Sequence, residues 1–172
     1  MDAVADARAA VRWVQEHADE LGVDPTKVIV SGNSAGGHLA LWTAIEHAPF
    51  GSDSSESPKH KPAALVLTSA VADCTSGAAL KRCGEHAREL SPLHQLDPTM
   101  PPIIMFHGDA DTTVPVEQAI ALEAALKQAG NVVEFTKVEG GSHNFSGDLP
   151  EWKDKTREMI RTFLVKQKLI GG

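Results

Sequence analysis

Three residues of this chain could together do nucleophilic chemistry: Ser34, Asp111 and His143. A serine hydroxyl attacks a carbonyl poorly until a base takes its proton, and an imidazole serves as that base when an anionic group orients it. Ser34 sits in Gly32-Asn33-Ser34-Ala35-Gly36-Gly37, after the run Val28-Ile29-Val30 and before a stretch rich in Ala and Leu. That order predicts a strand, a strained turn that presents the serine, and a helix that starts at once. The glycines two residues either side let strand and helix approach closely. Asp111 lies in His107-Gly108-Asp109-Ala110-Asp111-Thr112-Thr113-Val114-Pro115, and His143 in Gly140-Gly141-Ser142-His143. Each follows a predicted strand. The chemistry such a set supports is acyl transfer to the serine and then to water.

Residues more than a hundred positions apart meet only if the fold brings them together. Val4, Ala7, Val11, Val14, Ala18 and Leu21 recur at spacings of three and four, which predicts a helix ending near Gly22. Asp24-Pro25 signals a turn, and Val28–Val30 a strand whose unbroken β-branched run suits burial on both faces. A helix is expected from Ala35 to Glu46, a surface loop over 51–62, and a strand at Ala64–Thr68. Short helices are expected around Ala78–Arg82 and Glu85–Leu90. Then come a strand at Ile103–Phe106, a helix over Val116–Ala129, a strand over Val132–Val138 and a helix from Pro150 to Lys168. The alternation predicts the α/β class: about four parallel strands with flanking helices, in one domain over 1–172. In a parallel sheet the carboxyl ends of all strands share one edge, where the three residues would converge.

The 172 residues are 42% hydrophobic and 23% charged, the composition of a globular chain. A net charge of −7, with no basic patch, argues against a nucleic-acid partner. No apolar stretch approaches the roughly 20 residues of a membrane span. Met1-Asp2-Ala3-Val4-Ala5-Asp6 is not a signal peptide, so a cytoplasmic address is expected. Cys74 and Cys83, nine positions apart, could close a disulfide around 75–82 or remain two thiols; the pair alone does not make a metal site.

With Gly-x-Ser-x-Gly-Gly, His-Gly-x-x-Asp-x-x-Val-Pro and Gly-x-x-His-x-Phe in that order, the chain resembles the C-terminal portion of an α/β-hydrolase esterase of the hormone-sensitive-lipase and carboxylesterase group. One such motif is weak evidence; three in register over nearly the whole chain are strong. The resemblance implies a serine carboxylesterase that hydrolyses short-chain acyl esters through an acyl-enzyme, with a small ester as partner and no metal or cofactor. Ser34 would be the nucleophile, His143 the base and Asp111 the acid, since the family's acid stands three residues before Val-Pro; Asp109 would serve the turn. Ala35 N–H would be one oxyanion donor. His107 is expected as a packed histidine. His38 is expected on a helix face, with the pocket wall as the other option. Asn33 stands where many relatives carry an acidic residue.

The same motifs leave other readings open. A prolyl-oligopeptidase-type serine peptidase shares the fold and the order of the three residues. A non-catalytic, truncated hydrolase acting as a binding or assembly module is the third reading, supported by the lack of the family's His-Gly-Gly oxyanion loop. Only some thirty residues precede Ser34, so the family's N-terminal strands are expected to be missing and the strand before Ser34 to lie at the sheet edge. An exposed edge of this kind invites pairing. Self-association is therefore expected, through that edge or through a bare sheet face.

Overall fold

Four strands, β1 (Ile29–Asn33), β2 (Ala64–Thr68), β3 (Ile103–Gly108) and β4 (Val133–Val138), pair in parallel in the order β1-β2-β3-β4. The structure, a computed structural model, describes residues 2–47 and 60–171. Most of the surface loop expected over 51–62 lies outside the described residues. The helices are α1 (Asp2–Glu16), α2 (Ala18–Leu21), α3 (Ala35–Ala44), α4 (Gly77–Cys83), α5 (Val116–Gln128), α6 (Phe145–Asp148) and α7 (Pro150–Lys166).

The alternation of side chains along each strand divides the core in two. Val30, Leu65, Leu67, Ile103, Met105, Val133 and Phe135 point to the face covered by α1, α3 and α5, where Trp42, Leu122 and Leu126 pack. Ile29, Ala64, Val66, Ile104, Phe106 and Val138 point to the other face, which Phe145 and the α7 residues Phe163 and Leu164 cover. The central strands β2 and β3 are buried almost throughout, as strands covered on both faces must be. β1, at the edge, is only half-buried.

Several boundaries move from the sequence expectation. The first helix breaks at His17, whose ring stacks on Trp13 at 4.4 Å, and the chain restarts as α2 before the left-handed Gly22 (φ 65°) ends it. Val4, Val11 and Ala18 of the expected stripe are buried, but Leu21 is exposed. Asp24 caps a single 3₁₀ turn, Pro25–Lys27, by accepting from Thr26 N–H. β1 runs on to Asn33 and β3 to Gly108, because both strands keep pairing up to their loops. Around 85–90 there is only a 3₁₀ turn, Gly84–His86, in place of a helix. The short α6 was not anticipated.

α3 is fixed at both ends. Its N-terminus grows out of the Ser34 turn. Its C-terminal carbonyls meet the Arg8 guanidinium, which donates to Trp42 O at 3.2 Å and Ile45 O at 2.7 Å. A cation at a helix C-terminus satisfies orphan carbonyls and complements the dipole.

Candidate active site

Ser34 joins β1 to α3 with φ 54° and ψ −121°, a conformation L-residues rarely adopt. Such strain persists where the surroundings over-determine it. Here they do. Ser34 N–H donates to Thr68 O at 3.0 Å, and Ser34 O accepts from His38 N–H at 3.1 Å and Val71 N–H at 3.3 Å. Any Cβ on Gly32 would strike the Gly36 carbonyl, and one on Gly37 would strike Ala70. Gly32 and Gly37 are thus required by contact distance, whereas a Cβ on Gly36, expected to serve the close approach of strand and helix, would meet open space.

Asp111 and His143, the expected acid and base, come from the loops after β3 and β4. These loops touch where Gly108 passes Gly141 with no room for a side chain, and Ala110 N–H donates to Gly141 O at 2.9 Å. Asp111 is buried. Its Oδ1 accepts from Thr113 N–H at 2.8 Å and Val114 N–H at 2.9 Å, while Oδ2 lies 2.8 Å from His143 Nδ1. Burial pushes the Asp111 carboxyl up, but the bonds from Val114 N–H, the His143 ring and Thr113 N–H outweigh it and hold the group below its ordinary range. A carboxylate at Nδ1 places the imidazole proton there, which leaves the Nε2 lone pair free. Nε2 lies 2.9 Å from Ser34 Oγ. A continuous hydrogen-bonded chain therefore runs from Asp111 through His143 to Ser34.

Asp109 has the turn role expected of it. Its Oδ1 accepts from Gly140 N–H at 2.7 Å, and Lys137 Nζ lies 3.6 Å from Oδ2. His107 is packed, as expected, but it also touches Asp111. His38 reaches the pocket wall: its Nε2 donates to Leu90 O at 2.7 Å, and burial lowers its pKa despite that bond. Ser69 carries no local signal in the sequence. This fully buried residue follows β2 with φ 45°, and its hydroxyl donates to His143 O at 3.1 Å. Gln118 was also missed. Its Oε1 accepts from Ala72 N–H and Asp73 N–H at 3.0 and 3.1 Å, and its Nε2 donates to Asp73 O at 3.0 Å, tying the loop after β2 to α5. A signal for it existed: Gln118 sits four residues before the core residue Leu122, on the apolar face of α5.

A cavity of about 170 Å³ opens beside Ser34. Ala35, Val71, Val114 and Pro115 line the near side, and Ala78, Ala79 and Cys83 of α4 the far side. Ala35 is the first residue of α3, so its N–H has no intrahelical acceptor and lies at the positive end of the helix. Cys74 and Cys83 are free thiols. Burial, then the neighbouring Cys83, pushes the Cys74 thiol up to about 12, so Cys74 is not a competing nucleophile at neutral pH. Among the described residues no group of three or more His, Cys, Asp or Glu side chains is gathered as a metal site needs. No described helix is long and apolar enough to cross a membrane.

A parallel sheet with a strand–serine–helix turn, and with acid and histidine loops on the same carboxyl edge in the order Ser…Asp…His, defines the α/β-hydrolase class. Within it, the chain belongs to the prolyl oligopeptidase family, whose model matches residues 2–167. It is 26% identical over 167 residues to the esterase LipC of Mycobacterium tuberculosis, covering 83% of this chain and 40% of LipC. It also matches the apo form of Thermogutta terrifontis esterase 2, with a TM-score of 0.83 and 38% identity over 98% of this chain and 66% of that one. Other structures of that esterase are described as butyrate-bound and as phosphoramylated by tabun. The chain thus spans about 40% of the length of curated relatives such as LipC.

Proposed function

We propose that this chain is a serine carboxylesterase acting on short-chain acyl esters. The observation that carries the reading is the Asp111–His143–Ser34 chain, with links of 2.8 and 2.9 Å, ending at a small apolar cavity. His143 Nε2 takes the hydroxyl proton as Ser34 Oγ attacks the ester carbonyl, and Asp111 stabilises the imidazolium that forms. Ala35 N–H donates to the oxyanion. The imidazolium returns its proton to the departing alkoxide, leaving an acyl-Ser34. Water, activated by the same imidazole, then releases the acid and regenerates the serine. A 170 Å³ cavity whose lining is mainly apolar, with Arg82, Ser76 and Thr113 among its polar members, suits an acyl group of a few carbons, and a butyrate-bound relative supports the same size class.

The family match favours a second reading, a serine peptidase cleaving after proline, with the same three residues in the same roles. Self-association is part of the proposal: β1 is one of the two edge strands of the described sheet and is half-buried, with Ile29 and Val30 both incompletely covered. Light scattering that gives an 18.3 kDa monomer would remove that part.

The test is turnover of p-nitrophenyl acetate and butyrate against Gly-Pro p-nitroanilide. Wild type should hydrolyse the esters and leave the anilide, and Ser34→Ala and His143→Ala should each lose ester turnover on the order of 10⁴-fold or more. Preference for the anilide would establish the peptidase. Equal rates for wild type and both variants would leave only the non-catalytic binding module.

A further inference from the structure

Beneath Asp111 lies a second histidine. His107, near the end of β3, is 1% exposed. Its Nε2 stands 2.9 Å from Val114 O and 3.2 Å from Asp111 Oδ2. Both neighbours are acceptors, and a carbonyl cannot donate, so the proton is on Nε2 and is shared between them. We propose that His107 is a positioning residue: its Nε2–H holds Asp111 Oδ2 in place and divides that oxygen's charge with His143 Nδ1–H. The inference rests on the reading of Asp111 and His143 as acid and base.

The geometry gives the role its content. Asp111 accepts from four directions: Thr113 N–H and Val114 N–H on Oδ1, His143 and His107 on Oδ2. The two backbone donors come from the turn that Asp111 itself starts, so they move with it. His107 belongs to the sheet, paired in register with Lys137 of β4. Through Val114 O it also grips the far end of that turn. It is therefore the link between the acid's loop and the rigid strands. A donor shared on Oδ2 also weakens the attraction between Asp111 and a protonated His143. The titratable side chains in contact with the Asp111 carboxylate are His107 and His143; Asp109 is turned to Gly140 N–H and Lys137.

The expected consequence has a sign. Removing the His107 N–H leaves Oδ2 wholly to His143, so the imidazolium is better stabilised and the base titrates at higher pH. In His107→Phe, kcat for p-nitrophenyl butyrate should fall roughly tenfold with KM unchanged. The acid limb of kcat/KM should move up by about half a pH unit, the worth of one hydrogen bond. His107→Gln, which retains an N–H donor at similar reach, should restore the limb to within a small fraction of that shift. The downfield proton resonance of His143 Nδ1–H reports the same change without turnover, and should move in the Phe variant and return toward wild type in the Gln variant. An unmoved limb and an unmoved resonance in folded His107→Phe would overturn the proposal. If the Phe variant does not fold, Gln decides: a wild-type limb and resonance support the role, and a limb shifted as far as half a unit overturns it. Absence of ester turnover and of that resonance in wild type would instead remove the triad reading on which it rests.

Discussion

At the carboxyl edge of β3 and β4 the backbone of Gly108 passes Gly141 so closely that no Cβ fits between them, whereas α4, across the cavity, buries none of its own side chains. One side of the cavity is set by backbone contact, by a carboxylate held by four donors and by a serine in a strained turn. The other side is a helix of seven residues whose Leu80 is 42% exposed. The difference assigns separate tasks. Reacting groups lose rate with small displacements, so the proposed ones belong where they are found, on the sheet and the loops that leave it. A wall that only shapes the substrate can rest on weaker packing, and its substitution should change selectivity before it changes chemistry.

The largest effect that would break this contrast lies at the acid. Asp111→Asn should lower kcat on the order of 10³–10⁴-fold, because the amide no longer holds a proton on His143 Nδ1. It should also remove a pH dependence. The Asp111 carboxyl is held below its ordinary range, so it contributes stability above the unfolded aspartate value of about 3.9, and that contribution is lost as pH falls through the folded value. Denaturant unfolding of wild type and Asp111→Asn between pH 7 and pH 3 should show the difference between them shrinking toward acid. A difference constant with pH would contradict the carboxylate's role.

A smaller effect follows from the glycine crossing. Gly108→Ala must push two loops apart and should cost about 3 kcal/mol, read as a fall in Tm of roughly 6–12 °C for a chain of this size. Activity at a permissive temperature should fall with it, since the loops that move carry Asp111 and His143. An Ala variant as stable and active as wild type would show that the crossing is slack.

In α4, Leu80→Ser, at a position that does not line the cavity, should change stability by less than about 0.5 kcal/mol, as an exposed position does. A Tm near that of wild type, with kcat for p-nitrophenyl butyrate unchanged, would sharpen the contrast. A loss comparable to that of Gly108→Ala would erase it.

The same contrast governs what the sequence could reveal. Ser34, Asp111 and His143 are legible because each stands in a motif that includes a glycine fixed by contact: Gly32 and Gly37, Gly108, and Gly141 respectively, though Gly36 and Gly140 of the same motifs are not. The sheet was legible from β-branched runs between turn signals. His107 could be read as buried, but its contact with Asp111 depends on how the turn over 111–114 folds back on β3, which periodicity does not encode. Ser69 has no local signature, since its left-handed backbone and its bond to His143 O arise from packing between loops 74 residues apart. The break of the first helix at His17 lies within a stripe that stays buried or half-buried as far as Ala18, so periodicity carries no sign of it; only Leu21, at the end of the stripe, is exposed.

The central claim is that Ser34 is an activated nucleophile. Treatment with a fluorophosphonate and mass spectrometry of the labelled peptides tests it most directly, because covalent capture needs the serine and its base but no turnover. The account predicts one stoichiometric adduct on Ser34, absent in Ser34→Ala and slowed at least about a hundredfold in His143→Ala. An unlabelled protein, or an adduct on any other residue with Ser34 untouched, would contradict it.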